Sequence, residues 1–302
     1  MGTSPKPDPA SLEASSGLPK PPMAEAERRR REPGREELSR VGNHRHGPSK
    51  YAVAVTRARQ TAATLRTVLI SIPLVSLYTI VCGAISIVLG LFFRSGDPSH
   101  WLARLWSWLI LTTCGVKVSL TGLENLDKNR NYIFAANHQS IYDIPILFAW
   151  LPFSFRILYK ESLNRVPFMG WHLFLCGHIS VDRSNPVRAR QSLERAAKRI
   201  QQGTSVVVFP EGTRSANGSV GRFKQGSFLL AIKSGVPVVP ITISESWRIM
   251  KRGQVTVHPG MVRVHVEKPI AVEGLDENGA IELARAVRET VLENYQTEPV
   301  TT

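Results

Sequence analysis

The alternation of apolar and polar positions divides the chain into three stretches of different character. Residues 1–50 hold no apolar period and are rich in Pro, Gly, Ser, Arg and Glu, so this basic tail is expected to be disordered. Its polar, proline-rich start also lacks the early apolar region of a secretory signal. Thr67 to Phe93 is a run of 27 residues without a charge. A helix of that length reaches roughly 40 Å, more than the hydrocarbon core of a bilayer needs. Pro73, Gly83 and Gly90 are places where it can kink. Arg94–Pro98 reads as a turn, with Asp97 as the N-cap and Pro98 as the first residue of a second helix running to about Val116. Trp101, Arg104, Trp106 and Trp108 in that helix suit a membrane interface, where aromatic rings anchor and long cationic side chains snorkel.

From Lys117 the pattern becomes short apolar runs alternating with amphipathic stretches. Strands are expected at Lys117–Thr121, Tyr132–Ala136, Phe155–Tyr159, His178–Val181, Ser205–Phe209, Val238–Ile243 and Arg263–Glu267. Helices are expected at Ile144–Trp150, Pro167–Cys176, Pro186–Gln202, Gly226–Ser234 and Glu277–Tyr295. This alternation predicts an α/β domain over residues 117–302, with a mostly parallel sheet covered by helices. Residues 51–116 then form a membrane-associated two-helix segment ahead of it.

Charge narrows the partners. The chain carries a formal net charge of +14, and residues 117–272 hold 21 Lys/Arg against 9 Asp/Glu. Such a surface suits a phosphate-bearing partner: nucleic acid, an anionic membrane or an anionic metabolite. No zinc-ligand spacing, recognition-helix signature or aromatic RNA-binding motif is present, so nucleic acid is the least favoured. The 3 cysteines, Cys82, Cys114 and Cys176, are far apart in apolar contexts and imply neither a disulfide framework nor a metal site. No glycine-rich phosphate loop and no internal repeat is present.

Two polar bursts follow expected strands, at the position where open α/β sheets place their chemistry. The first is Asn137-His138-Gln139-Ser140-Ile141-Tyr142-Asp143. His138 is the strongest general-base candidate, with Asp143 as a carboxylate to orient it. Residues five apart lie about 140° apart around a helix, so a touching pair requires His138 in the loop and Asp143 at the helix start. Spacing leaves a second reading open, with Asp143 a plain N-cap and His138 a satisfied polar residue. The second burst is Phe209-Pro210-Glu211-Gly212-Thr213-Arg214-Ser215. Arg214 offers a planar fork for phosphate, Gly212 permits close backbone approach, and Glu211 could pair with Arg214 or accept from a substrate hydroxyl. The alternative is a charged surface loop. Gly177–Arg183, Lys160 at a strand end and the proline-bracketed Val236–Ile241 are weaker signals with ordinary structural readings.

Together these pieces resemble the glycerolipid acyltransferase family typified by 1-acyl-sn-glycerol-3-phosphate acyltransferases. Asn137, His138 and Asp143 match its first block, Gly177, Ile179, Asp182 and Arg183 its second, Phe209–Ser215 its third at every position, and Val236, Pro237 and Pro240 its fourth. Lys160–Leu163, Val166–Trp171 and Lys224–Gly226 are also similar, and the resemblance covers about Val118 to Glu267.

The resemblance implies acyl transfer from acyl-CoA or acyl-carrier protein to the sn-2 hydroxyl of lysophosphatidic acid, with no cofactor beyond the donor. His138 and Asp143 would be catalytic, and Lys160, Arg183, Glu211, Gly212, Thr213 and Arg214 would hold the acceptor. Rival readings are another lyso-acceptor, or a non-catalytic adaptor that binds anionic membrane lipid. Lys50, Arg57, Arg59 and Arg66 ahead of the apolar run favour a cytoplasmic N-terminus. A single crossing would then put the following domain on the side opposite a cytoplasmic thioester. A membrane-embedded helical hairpin that dips in and returns keeps the active site on the cytoplasmic face.

Overall fold

The computed structural model describes residues 50–93, 96–182 and 185–296. The chain divides into Met1–Ala54, of which only the start of the first helix is described, and Val55–Thr302. The expected disorder of residues 1–50 therefore falls almost wholly outside the described residues, as does Arg183.

The apolar run is part of a longer helix than the hydropathy suggested. Helix α1 covers Lys50–Arg66, a π-helical turn covers Thr67–Ser71, and α2 covers Ile72–Phe92. Pro73 sits at the start of α2, where its missing N–H costs least. Between Arg57 and Phe92 the helix is long and apolar enough to cross a membrane, and 11% of its most apolar window is buried. Leu69, Ile80, Leu91 and Phe92 all stand exposed.

Helix α3, Asp97–Cys114, packs along α2. Trp106 donates its indole N–H to Thr79 Oγ1 at 3.1 Å, and Ser99 Oγ donates to the Ser86 carbonyl at 3.3 Å. The expected cap is displaced by one residue: Gly96, in the left-handed region, is the N-cap, and Asp97 is the first helical residue. Asp97 instead accepts from Ser154 Oγ and the buried Arg156, tying α3 to the sheet. Gly115, at φ 69°, ends the helix in the left-handed conformation that glycine adopts without strain.

The strands are β1 Val116–Thr121, β2 Ile133–Ala136, β3 Phe155–Lys160, β4 Ile179–Val181, β5 Ser205–Val208, β6 Val238–Ser244 and β7 Gly260–Val266. They form one sheet in the order β1-β7-β6-β2-β5-β3-β4. Every pair is parallel except β6–β7. Between those two strands the only helix is the four-residue α8, Ser246–Ile249, so no crossover helix carries the chain back across the sheet to a parallel start. Strand β7 begins three residues earlier than expected, at Gly260.

The remaining helices are α4 Asp143–Trp150, α5 Met169–Leu175, α6 Pro186–Gln201, α7 Gly226–Ser234 and α9 Gly279–Glu293. Alternate strand residues face opposite cores. Phe134, Val207, Val239 and Ile241 pack on one face with side chains of α3 and α4. Ile133, Val206, Val208 and Val238 pack on the other with side chains of α6, α7 and α9. Strands buried on both faces explain the continuous apolar runs in β2 and β5.

Polar contacts near both of its ends connect the apolar helix to this domain. Val257 donates its backbone N–H to Thr67 Oγ1 at 3.0 Å. Farther along, Ser86 Oγ meets His172 Nδ1 of α5 at 2.6 Å.

Candidate active site

The central strands bring the two polar bursts to one level of the sheet's carboxyl edge. Parallel register pairs Ala135 of β2 with Val208 of β5, which sets His138 opposite Glu211 three residues on. Ala136 of β2 pairs with Ile241 of β6, which sets Asn137 beside Thr242 and Ile243.

Asn137 extends the pairing with its side chain. Its Nδ2 donates to the Ile243 carbonyl at 2.8 Å, and its Oδ1 accepts from the Ile243 N–H at 2.7 Å. The loop is thereby pinned to β6 one residue before His138. Gln139 points inward and donates to the Gly218 carbonyl and the Tyr295 hydroxyl. Ser140 Oγ donates to the Met250 carbonyl at 3.0 Å.

Asp143 is the first residue of α4 and fully buried. Tyr142 occupies the N-cap position, so the plain-cap reading of Asp143 does not hold. Its Oδ2 lies 2.8 Å from His138 Nδ1 and accepts the N–H groups of Gln139 at 2.7 Å and Ser140 at 2.9 Å. An oxygen that already accepts from two backbone donors presents an acceptor to the imidazole. The proton of neutral His138 is therefore fixed on Nδ1, and Nε2 carries the lone pair. The His138 side chain is 15% exposed, and its ring stacks on Phe209 with centroids 4.1 Å apart and planes 23° apart. A base with one nitrogen held and the other at an open edge is the arrangement general-base catalysis requires.

The second burst divides its groups between inside and outside. Glu211 is buried, with Oε1 accepting the His138 N–H at 2.9 Å and Oε2 the Gly221 N–H at 3.2 Å. Burial pushes its carboxyl pKa above the usual value, and the two backbone donors oppose that rise. A Cβ on Gly221 would come within 2.9 Å of Glu211 Oε2, so a larger residue there would push the carboxylate aside. The suggested Glu211–Arg214 pair does not form, because both Glu211 oxygens face the inner loops and take backbone donors there. Gly212, at φ 72°, turns the chain outward. Ser215 then donates its N–H to the His138 carbonyl at 2.8 Å, closing the two loops on each other. Gly212 and Thr213 are exposed and Arg214 half-buried. The guanidinium of Arg214 has no ion pair among the described residues.

Lys160 is exposed at the end of β3, on the same carboxyl edge: β3 pairs Ile157 with Val207, which brings Lys160 level with Pro210. Asp182 lies just past β4, 3.7 Å from Arg188 of α6. The polar bursts single out His138, Asp143, Glu211 and Arg214 but assign no task to Asn137, Gln139 or Phe209. Their place in polar bursts after buried strands was the available signal. Arg252, whose Nη1 donates to the Arg214 carbonyl at 3.1 Å, had no such signal, being 38 residues away.

A sheet edge that carries a histidine–carboxylate pair beside an arginine suits general-base chemistry on an anionic substrate. Comparison with known proteins narrows that chemistry. A family model described as Acyltransferase matches residues 117–244. The chain is similar to the 1-acyl-sn-glycerol-3-phosphate acyltransferase of Saccharomyces cerevisiae, 31% identical over 71% of this chain and 72% of that protein. A chloroplastic 1-acyl-sn-glycerol-3-phosphate acyltransferase of Arabidopsis thaliana is 37% identical over 57% of this chain and 48% of its own length. The crystal structure of the 1-acyl-sn-glycerophosphate acyltransferase PlsC from Thermotoga maritima aligns with a TM-score of 0.65, at 28% identity, over 78% of this chain and 96% of that one. The chain belongs to this glycerolipid acyltransferase family. It spans between 48% and 60% of the length of the plant and algal relatives.

Proposed function

We propose that the protein is a membrane-associated O-acyltransferase that moves an acyl chain from acyl-CoA or acyl-carrier protein to the sn-2 hydroxyl of lysophosphatidic acid. The products would be phosphatidic acid and the free thiol of the carrier. The observation that carries this reading is the His138–Asp143 contact of 2.8 Å beside the loop of Arg214.

In this mechanism His138 Nε2 removes the hydroxyl proton as the oxygen attacks the thioester carbonyl. The carbon–sulfur bond then breaks, and the imidazolium returns its proton to the departing thiolate. Asp143 holds the ring in the tautomer this needs and stabilises the imidazolium. Arg214, Gly212 and Thr213 would grip the acceptor's phosphate end, with Lys160 and Arg183 adding positive charge. Glu211 acts one step back, holding the His138 backbone in place. The acyl donor is a substrate, and the reaction needs no cofactor.

Helices α2 and α3 would form a hairpin embedded in the membrane, with the catalytic edge on its cytoplasmic side. The exposed apolar face of α2 and exposed Trp101 and Trp108 of α3 support that arrangement. It would let a membrane-bound lysolipid and a water-soluble carrier meet at one site. An acyl-transfer assay of the purified protein, crossing both thioester donors with a panel of lyso-acceptors, tests the proposal. Consumption of thioester with lysophosphatidic acid is expected. No consumption with any pair would overturn it.

A further inference from the structure

The segment between α8 and β7 carries two cations that none of the family's motif blocks contains. Ser140, in the histidine loop, holds this segment through its bond to the Met250 carbonyl at 3.0 Å. The next two residues are Lys251 and Arg252, both exposed. Arg252 Nη1 donates to the Arg214 carbonyl at 3.1 Å, which leaves the rest of its fork turned to solvent beside the Arg214 loop. Lys251 Nζ lies 5.6 Å from the centre of the Trp247 ring, and that ring lies against Gly218 at the end of the same loop. Neither Lys251 nor Arg252 has a carboxylate partner among the described residues. Lys251 and Arg252 thus lie on a segment tied to the backbone of the Arg214 loop, and like charges on adjoining segments raise the positive potential of that edge. Holding charges together without counter-ions costs stability, and a bound anion offsets that cost.

We propose that Lys251 and Arg252 form, with Arg214, a second anion-binding position at the catalytic edge, one that receives a substrate phosphate group. The inference rests on the acyl-transfer reading given above. Two substrates could supply the phosphate: the headgroup of the lysolipid acceptor, or the carrier portion of the thioester. The shared chemistry is a phosphate met by a guanidinium fork and an ammonium.

Kinetics with Arg252→Gln, Lys251→Ala and the pair together test the site and separate the two sources. Hydrogen bonds to charged groups at an exposed position predict a rise in KM of about tenfold for one substrate with kcat kept. A rise confined to the acceptor assigns the position to the headgroup. A rise confined to the donor, shrinking as salt is added, assigns it to the carrier. Arg252→Lys should restore part of the lost affinity, because it keeps the charge and loses the fork. A fall in kcat with both KM values unchanged, and no rescue by Lys, would show a purely structural tie to the Arg214 loop and overturn the proposal. Binding of inorganic pyrophosphate, measured by calorimetry on the full chain in detergent, reads the position without turnover. Binding weakened by Arg252→Gln supports the site even if no acyl transfer is found. Pyrophosphate binding that is equal in wild type and the double variant would sink it.

Discussion

The two loops at the carboxyl edge are built from similarly polar sequences, yet they use their polar groups in opposite ways. In Asn137–Asp143 nearly every polar side chain is spent inside the protein. Asn137 pairs with β6, Gln139 with Gly218 and Tyr295, Ser140 with Met250, and Asp143 with three donors. His138 Nε2, on the partly exposed side chain of the loop, is left for chemistry. In Phe209–Ser215 the single inward side chain among the charged pair is Glu211, while Arg214 remains unpaired among the described residues. The first loop is a rigid mount for one base, and the second is a receptor for an anion. Rigidity comes from satisfied buried groups, whereas affinity for an anion requires a cation without a partner.

This contrast predicts that substitutions in the first loop lower turnover or stability, and those in the second lower affinity. The largest effect is expected for His138→Ala, with turnover falling by at least about 10²–10⁴-fold and the melting temperature unchanged. Near-wild-type turnover in a steady-state assay would refute the base assignment. Asp143→Ala should cost turnover and also about 3 kcal/mol of stability, since it leaves two backbone N–H groups and the imidazole without an acceptor. Thermal melts in detergent read this, and an unchanged midpoint would contradict the buried geometry. Arg214→Ala should raise the acceptor's KM by roughly tenfold to a hundredfold with stability intact. A loss confined to kcat would place Arg214 in the mount instead of the receptor. Glu211→Gln is expected to be milder, about 1 kcal/mol in stability with a few-fold loss of turnover, because the amide keeps one acceptor and turns a donor toward Gly221 or His138.

The smallest effect lies away from both loops. Burial holds the imidazoles of His172 and His178 below the ordinary value. Near pH 6.5 and below, the unfolded chain thus binds more protons than the folded one. Their contribution to stability is fully present above that pH and is lost as the pH falls. The melting temperature should drop between pH 7 and pH 5, and His172→Asn should flatten the slope. A slope unchanged by His172→Asn would remove that residue from the account.

Much of the domain was readable from local pattern. Strands such as β2 and β5 are short apolar runs ended by polar bursts, and their neighbours in sequence are amphipathic helices. Element ends were harder. Asp97 had the chemistry of an N-cap, but Ser154 and Arg156 claim its carboxylate from 57 and 59 residues away. Gly96 takes the N-cap position, and Asp97 is the first helical residue. The extension of the apolar helix back to Lys50 escaped the hydropathy pattern, because charged and polar residues interleave along α1.

The two loops, their order after buried strands, and the residue types able to act as base, orienting acid and phosphate fork are legible in the linear chain. These are local properties: period, burial tendency and side-chain chemistry travel with the residues. The partners of those groups are set by folding. Parallel register between β2 and β5 sets His138 opposite Glu211, whose carboxylate is thereby drawn to two backbone N–H groups and away from Arg214. The same folding brings Arg252 against the Arg214 loop from 38 residues away. Hydrogen bonds act over about 3 Å, and chain separation does not predict which groups come within that reach.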